Sequence, residues 1–284
     1  MVKHPKKLYN IFINMISICM AYKNRRKQLI QTLYSISQTK CEDYEIIIVD
    51  DASSEDHQII DLAHKNDKIK LIIVKPEIKN WVNPVVAYNA AFREAKGDKI
   101  IIQNPECAHV GDVIDYVDKN LKDDNYISFS CLSLPHVLTS KYIDNNFFKK
   151  EDISEIKNIA SGMGQPARFD GDLGWYNHPN YLPRALHFCN AITAKDLNNV
   201  GGFDERFAQG YNYDDNDFAN RVMTKVRYLN FVLDPFVVHL HHYMDQSTDL
   251  DPNKQNLVNH NLNIFNKIQS GEIPMWDKKL NENV

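Results

Sequence analysis

The chain contains 284 residues, of which 43% are hydrophobic and 25% are charged, and its formal net charge is −4. This composition is typical of a soluble globular protein, and the length allows one large domain or two small ones. The slightly acidic balance, with lysine and arginine scattered along the sequence, disfavours a nucleic-acid partner.

Cysteine usage and the amino terminus bear on location. The five cysteines form no CxxC pair, and most of them lie in apolar runs, which predicts buried thiols in a reducing compartment. The apolar run Leu8–Tyr22 is interrupted by Asn10 and Asn14 and is too short to cross a bilayer. We therefore predict no transmembrane segment and a cytoplasmic location.

Strands and helices alternate in the first part of the chain. Short apolar runs predict strands, and apolar residues spaced three and four apart predict helices. The expected strands are Met15–Tyr22, Glu45–Val49, Ile69–Val74 and Lys99–Gln103, and the expected helices are Arg25–Thr39, a helix that ends near His64, and Pro84–Ala95. This order predicts an α/β fold with a mostly parallel central sheet and helices on both faces.

The second part of the chain is less regular. Its expected elements are a helix at Gly111–Leu121, a strand at Tyr126–Leu132, a strand at Ala185–Ala194, one or two strands within Val226–Val238, and a helix at Gln255–Ile268. Between them, Pro135–Pro183 shows no clear period and carries several glycines and aromatic residues. A long loop in a compact domain is usually functional or disordered, so we interpret this stretch as a substrate-facing lid.

Polar residues follow three of the predicted strands: Tyr22-Lys23-Asn24, Asp50-Asp51 and Asn104-Pro105-Glu106. Open α/β sheets bind ligands at the carboxyl ends of their strands, so we expect a ligand at this edge. The sequence contains neither a GxGxxG motif nor a P-loop, and the nucleotide folds that use those motifs are unsupported.

The stretch Gly201–Val222, GGFDERFAQGYNYDDNDFANRV, carries the strongest candidate for acid–base chemistry. Asp214 and Asp215 lie at the start of a short predicted helix, where the helix dipole favours the ionised carboxylate. An ionised carboxylate in a fixed position can serve as general base for a hydroxyl. The alternative is an acidic cap on a solvated helix, which is a common arrangement.

These elements together resemble the glycosyltransferases of inverting family 2, which have the Rossmann-like GT-A fold. The resemblance rests on AYKNR after the first strand, on IIIVDDASSEDH, and on AYNAA followed by AKGD. GGFDERF and DDNDFANR resemble the carboxyl-terminal signature of galactosyl- and N-acetylgalactosaminyltransferases. The resemblance covers roughly Met15–His242. It implies one domain over residues 1–284, with a nucleotide-sugar half at about 15–132, an acceptor and catalytic half at about 133–250, and a carboxyl-terminal helix and tail at 251–284.

The resemblance also implies which residues bind the donor. Asp51, with Asp50, would hold the base of the nucleotide, usually uracil, unless the two acids only cap the next turn. The full set of expected nucleotide-sugar ligands is Ala21, Tyr22, Asn24, Asp50, Asp51, Asn89 and Asn104.

A metal site is implied with one departure from the family pattern. The family has a DxD motif after the fourth strand, where this chain has Asn104-Pro105-Glu106. Glu106 can still supply an anionic oxygen, and Asn104 a neutral one. The family often adds a histidine after the last core strand, which makes His239 the first candidate and His242 the second, although a structural role for them stays open. The implied cofactor is Mn²⁺ or Mg²⁺.

On this resemblance Asp215 would be the catalytic base, and Asp214 would bind the acceptor or the donor sugar. Trp175 and Tyr176 would offer a flat face to the acceptor, unless they are a buried aromatic pair. The predicted activity is inverting transfer of a hexose or N-acetylhexosamine from a nucleotide sugar, expected to be a UDP-sugar, to a hydroxyl of a glycan, protein or small molecule. The alternatives are a metal-independent glycosyltransferase and a catalytically impaired protein that binds sugar or nucleotide.

Overall fold

The computed structural model of the chain describes residues 15–144, 149–169, 171–242 and 252–280. The strands are β1 Ile16–Tyr22, β2 Tyr44–Asp50, β3 Ile69–Ile73, β4 Lys99–Gln103, β5 Cys107–Val110, β6 Asn125–Leu134, β7 Gly174–Asn177, β8 Cys189–Thr193 and β9 Tyr228–Leu240. The helices are α1 Arg26–Ser37, α2 Ile60–His64, α3 Val85–Glu94, α4 Val113–Asn120, α5 His136–Asp144, α6 Lys150–Gly162, α7 Ala194–Val200, α8 Asp214–Lys225 and α9 Lys254–Gln269.

The strands form one mixed sheet in the order β3-β2-β1-β4-β8-β6-β9-β5, with β7 paired to β6. The first four strands are parallel to one another, as the alternating strand and helix pattern predicts. The second half of the chain makes the sheet mixed, because β8 runs antiparallel to both β4 and β6. This arrangement is an α/β fold with a mixed central sheet, as its parallel first half predicts.

Apolar side chains cover both faces of the sheet. In β1, Cys19 and Ala21 join a cluster that includes α3, whereas Ile18 and Met20 join a second cluster that includes α1 and α4. Successive residues of a strand point to opposite faces, so a strand buried on both faces is continuously apolar. The helices on both faces leave the carboxyl ends of β1, β2 and β4 as an open edge.

The stretch 135–183 is more regular than its sequence predicts. It contains α5, α6 and β7, so the interpretation as a long irregular lid is wrong. These elements form a third apolar cluster against β9, in which Tyr142, Ile156 and Trp175 are buried. Of the glycines that suggested a loop, Gly162 ends α6 and Gly174 begins β7, whereas Gly164 and Gly171 lie in the connection between them.

The sequence does not predict the four-residue strand β5, yet its pairing decides the geometry of the site. β5 begins one residue after Glu106 and runs antiparallel to β9, with Cys107 opposite His239. The amide of Leu240 donates to the carbonyl of Glu106 at 2.9 Å. This register places the side chains of Glu106 and His239, which are far apart in sequence, next to each other at the edge of the sheet.

The amino-terminal residues of the run Leu8–Tyr22, up to residue 14, lie outside the described part of the chain. Within the described ranges, no helix is both long enough and apolar enough to cross a membrane.

Candidate active site

A cleft of about 340 Å³ opens at the carboxyl ends of β1, β2 and β4. One side is formed by residues that follow these strands, among them Tyr22, Asp51 and Glu106. The other side is formed by the second half of the chain, through His187 and Asn212. The cleft therefore lies between the two halves that the sequence distinguishes.

Asp51 lies in the cleft directly after β2. Its amide donates to the carbonyl of Tyr22 at 2.8 Å, which fixes the backbone at the strand ends. Its carboxylate is buried and receives hydrogen bonds from Lys79 and, at 2.9 Å, from the indole nitrogen of Trp81. Burial lowers the pKa of Lys79, and the Asp51 carboxylate opposes that effect. The carboxylate of Asp51 is thus a hydrogen-bond acceptor whose position is fixed by Lys79 and Trp81, and it lies where the nucleotide base is expected to bind.

Three of the expected nucleotide-sugar ligands do not line the cleft. Asp50 is buried and accepts a hydrogen bond from the amide of Ser53 at 2.9 Å, so it holds the turn after β2. Asn24 accepts from the amide of Ser54 at 2.9 Å and holds the same turn from the other side. The two residues shape the cleft from behind, and their predicted contact with the nucleotide is not supported.

Asn89 is the third of these residues. It is buried on α3, where its Nδ2 donates to the carbonyl of Phe203 at 2.9 Å and its Oδ1 accepts from the amide of Phe203 at 2.8 Å. Both ends of the amide are therefore engaged in fastening α3 to the loop that contains Gly201 and Gly202. This contact is structural and replaces the predicted role in donor binding.

Asn104 does line the cleft. Its Oδ1 accepts a hydrogen bond from the hydroxyl of Tyr88 at 2.7 Å. Because this oxygen is engaged, Asn104 is better suited to donate a hydrogen bond to a sugar or ribose hydroxyl than to coordinate a metal ion. Ala21 and Tyr22 also line the cleft, and the Tyr22 hydroxyl donates to the carbonyl of His57 at 2.5 Å.

Glu106, His239 and His242 converge below the cleft as a buried group. The Oε1 atom of Glu106 lies 3.4 Å from Nε2 of His239 and 3.7 Å from Nε2 of His242. The other carboxylate oxygen lies 3.4 Å from the guanidinium of Arg25. His239 lies within β9 rather than after it, because that strand extends further than the sequence predicts.

Glu106 remains charged although it is buried. Burial alone would raise its pKa and is the largest influence, but Arg25, His239 and His242 together outweigh it and hold the pKa well below its usual range. A permanently ionised carboxylate between imidazoles is a suitable first ligand for a divalent cation.

The triad fits a divalent ion in its donor set. Its ligand atoms all lie within 4.8 Å of one another. Ligands about 2.1 Å from an ion are separated by roughly 3 to 4 Å, so small movements would bring the three atoms into range. One carboxylate with two imidazoles suits Mn²⁺ better than Mg²⁺, which prefers oxygen ligands. The two histidines provide the ligands that Asn104, in place of the first aspartate of DxD, does not provide.

Asp214 and Asp215 begin α8, as predicted. The two residues before them, Asn212 and Tyr213, have φ values of 64° and 67°. Residues other than glycine rarely adopt this left-handed conformation, and it is often found at functional sites. After this turn the two carboxylates lie in the first turn of the helix, where the dipole favours negative charge, and close to His187, which lines the cleft.

The two acids have different environments. Asp214 is buried and its Oδ1 accepts a hydrogen bond from Nδ2 of Asn83 at 2.8 Å. Burial and then the nearby Asp215 raise the pKa of Asp214 to about 6, against the opposing effects of His187 and Asn83. The Asp215 side chain keeps 31% of its surface exposed and contacts the imidazole of His187.

His187 is a site residue that the sequence analysis misses. It lies in the segment between β7 and β8, lines the cleft and is buried except for that opening. Its partner Asp215 is far away in sequence, and a single histidine in an irregular stretch has no local signal that distinguishes it. Only the structure brings the two together.

Neither residue of the predicted acceptor platform, Trp175 and Tyr176, lines the cleft. Trp175 is buried at 4% exposure, packs on Phe236 and donates from its indole nitrogen to the carbonyl of Met163 at 2.8 Å. It therefore offers no face to a sugar, and that prediction is wrong. Tyr176 stacks on Phe188. Its ring is also nearly perpendicular to the imidazole of His239, with 5.2 Å between the ring centroids, so it supports the metal-ligand triad.

The family of the first half follows from its sequence. Residues 17–138 match the model of glycosyl transferase family 2. This part of the chain belongs to that family. The match ends before Gly201–Val222, so the galactosyl- and N-acetylgalactosaminyltransferase-like signature stays a prediction. None of the curated protein sequences matches the chain.

Solved structures confirm the fold. TarS 1–349 from S. aureus in complex with UDP-GlcNAc matches with a TM-score of 0.54 and 12% identity, over 81% of this chain and 60% of that one. TarS 1–349 without that ligand gives 0.52 and 14% identity, over 79% and 60%. A mannosyltransferase from Pyrobaculum calidifontis, in complex with GDP-Man and Mn²⁺, gives only 0.47 at 16% identity, over 81% and 58%. The chain thus spans about 60% of the length of these structures, and it shares the fold of the two TarS structures.

Proposed function

We propose that this protein is an inverting glycosyltransferase. It would transfer a hexose or N-acetylhexosamine from a nucleotide sugar, with a UDP-sugar as the expected donor, to a hydroxyl group. The observation that carries this proposal is the convergence of three groups on one cleft: Asp51, Glu106 with its two histidines, and His187, which contacts Asp215 at the start of α8.

The nucleotide half of the cleft is suited to a nucleoside diphosphate. Asp51 is placed to accept a hydrogen bond from the imide N–H of a uracil base, in exchange for one of its present donors. Lys23 and Arg25 also line the cleft and give it positive charge where a diphosphate would lie. Arg25 is held by Glu106 and does not depend on the ligand for its position.

Glu106, His239 and His242 would hold a divalent ion. When bound, such an ion supplies charge stabilisation to the departing diphosphate oxygen, an effect worth several kcal/mol. The residues of the chain provide the remainder of the chemistry: Asp51 and Asn104 orient the donor, and the walls of the cleft limit the access of water.

Inversion requires attack from the face opposite the leaving group, with removal of the hydroxyl proton. Asp215 contacts His187, which lines the cleft on the side opposite to the strand ends, and this placement suits that direction of attack. Asp215 is the carboxylate on which the base function depends, and Asp214 is held more deeply by Asn83. General base catalysis of this kind contributes about 10²- to 10⁴-fold to the rate.

The experiment that tests the proposal is release of nucleoside diphosphate from a panel of UDP-, GDP- and dTDP-sugars in the presence of Mn²⁺. Slow donor hydrolysis does not need an identified acceptor. We expect turnover of one donor class, loss of turnover in chelator, and a decrease of about 10²-fold or more in Asp215→Asn. Asn216→Ala is the matched control, since Asn216 is exposed on the same helical turn.

Other outcomes point to different functions. Silence across the whole panel would contradict an enzyme and favour a protein that only binds nucleotide or sugar. Turnover that is insensitive to chelator would favour a metal-independent glycosyltransferase in which Arg25 stabilises the leaving group. Equal turnover in wild type and Asp215→Asn would show that the base function does not involve the start of α8.

A further inference from the structure

His187 is fixed in orientation from two directions. Its Nδ1 atom contacts Oδ1 of Asp215, and its ring packs edge-on against Tyr88 and Phe203 at centroid distances of 5.1 and 5.0 Å. Tyr88 and Phe203 are themselves fully buried, which leaves the imidazole little freedom to rotate. An imidazole whose Nδ1 faces a carboxylate carries its proton on Nδ1 when neutral, because the carboxylate accepts a hydrogen bond there.

The other ring nitrogen points to a different environment. The contact of His187 with Asp215 uses Nδ1, Nε2 makes no hydrogen bond within the described ranges of the chain, and His187 lines the cleft. Asp214 and Asp215 do not themselves line it. Of the three side chains that meet at this point, His187 is therefore the one in contact with the space where an acceptor would bind.

We propose that His187 takes the proton of the acceptor hydroxyl and that Asp215 acts through it. This inference rests on the proposed glycosyl transfer and names the residue that performs one of its steps. The lone pair of Nε2 accepts the hydroxyl proton as the hydroxyl oxygen bonds to the anomeric carbon of the donor. The bond between that carbon and the diphosphate oxygen breaks, and its electron pair leaves with the nucleoside diphosphate. The resulting imidazolium is stabilised by the carboxylate of Asp215.

The charges around His187 favour this role. Burial disfavours the imidazolium and is the largest single influence, but Asp215, Asp214 and Glu106 together raise the pKa of His187 above its ordinary value. A histidine with a raised pKa is a stronger proton acceptor once it is neutral. Asp215 alone would be a weaker base, because a carboxylate paired to an imidazole already shares its negative charge.

The first test separates proton transfer from positioning. In His187→Asn, the side-chain amide keeps an N–H close to the position of the histidine Nδ1, and this N–H can donate to Asp215. Asparagine has no atom at the position of the histidine Nε2. We therefore expect His187→Asn and His187→Ala both to lower kcat by about 10²- to 10⁴-fold with little change in the KM for the donor. Imidazole added to His187→Ala should restore part of the rate. His178→Asn is the matched control, since His178 stacks on Tyr181 and does not line the cleft.

The outcomes distinguish this inference from the function on which it rests. If wild type turns over a donor and His187→Asn keeps its kcat while His187→Ala loses it, His187 is only a positioning residue and the proposal is overturned. If both variants keep their kcat, it is overturned as well. If wild type turns over no donor, the proposed function itself fails.

A second measurement does not depend on turnover. Nitrogen-15 NMR of the wild-type protein reads the tautomer of each imidazole. We expect His187 in its neutral form to carry the proton on Nδ1, and we expect Asp215→Asn to abolish this preference. A proton on Nε2 in the neutral form would overturn the proposal, because that nitrogen could not then accept another.

Discussion

At the scale of single residues, the cleft contains charges that oppose folding. Asp214 is buried, accepts hydrogen bonds only from neutral donors such as Asn83 and lies beside a second carboxylate. Such a group costs stability in its ionised form, because burial removes the solvation of its charge. Retention of this costly group at the start of α8 is consistent with a functional constraint, since sites are commonly less stable than the rest of a fold.

We predict that Asp214→Asn stabilises the protein at neutral pH. The pKa of Asp214 is about 6 in the folded protein and has a reference value of 3.8. Between these values the folded state binds more protons than the unfolded state, so stability falls as the pH rises through this window. Because asparagine does not ionise, Asp214→Asn does not lose stability as the pH rises through this window. The variant should be more stable by on the order of 1–3 kcal/mol at pH 7.5, and the gain should disappear near pH 4.

Thermal unfolding of wild type and variant between pH 4 and pH 8 measures this difference. Asp56→Asn serves as the control, because Asp56 is exposed and the same change of charge there should leave stability nearly unaltered at each pH. A variant that is less stable than wild type at pH 7.5, or a gain that is equally large at pH 4, would contradict the interpretation of Asp214 as a strained buried charge.

At the scale of secondary structure, α9 holds the turn that positions α8. Asn261 is fully buried on α9, and its Nδ2 donates to the carbonyls of Phe207 at 3.1 Å and Asn212 at 2.9 Å. The backbone of Leu257 accepts from the amide of Tyr211 at 3.2 Å. A helix beyond the strands of the sheet thus fixes the left-handed turn before Asp214.

Gly210 shows how close this contact is. A Cβ atom at Gly210 would lie 2.3 Å from Oδ1 of Asn261 and 2.5 Å from the carbonyl oxygen of Leu257. Since backbone and a buried side chain cannot both move away, only glycine allows α9 to approach the loop. The requirement is one of space, because the φ of Gly210 is −135°.

We predict that Asn261→Ala loosens the start of α8. The buried carbonyl of Phe207 and the partly buried carbonyl of Asn212 lose their donor, which should cost about 1–3 kcal/mol of stability. Turnover should fall as well, because Asn212 is released from α9. Denaturant unfolding together with donor turnover measures both effects. Asn263→Ala is the control on the exposed face of the same helix. A change within about 0.5 kcal/mol for Asn261→Ala would indicate that α9 does not support this turn.

The elements of the first half are predicted well from sequence, and those between residues 135 and 183 are not. β1 to β4 are apolar on both faces and end in turn residues, so local pattern determines them. α5 and α6 have mixed faces, α6 ends at Gly162, and both helices pack against β9. Trp175 illustrates the same limit: its burial depends on a cluster that no local pattern shows.

At the scale of the whole molecule, the site depends on long-range register. Glu106 and His239 are adjacent because β5 pairs with β9, and β5 is too short to be recognised in the sequence. The family resemblance named both residues as metal ligands, but their geometry depends on the sheet. The family resemblance does not indicate that His187 and Asp215 form a pair. Only the folded chain brings them together.

The last prediction concerns coupling between ligand and metal across the cleft. If Glu106, His239 and His242 hold a divalent ion beside the diphosphate, Mn²⁺ should increase the affinity for UDP, and UDP should increase the affinity for Mn²⁺ by the same factor. A ligand at 100 times its Kd stabilises a protein by about 2.7 kcal/mol. Mn²⁺ and UDP together should therefore raise the unfolding temperature by more than the sum of their separate effects. Glu106→Gln should abolish this excess while metal-free UDP binding remains, because Asp51 is unaltered. Glu151→Gln, an exposed position on α6, should keep the excess. Purely additive shifts in wild type would show that the triad does not bind metal in contact with the nucleotide.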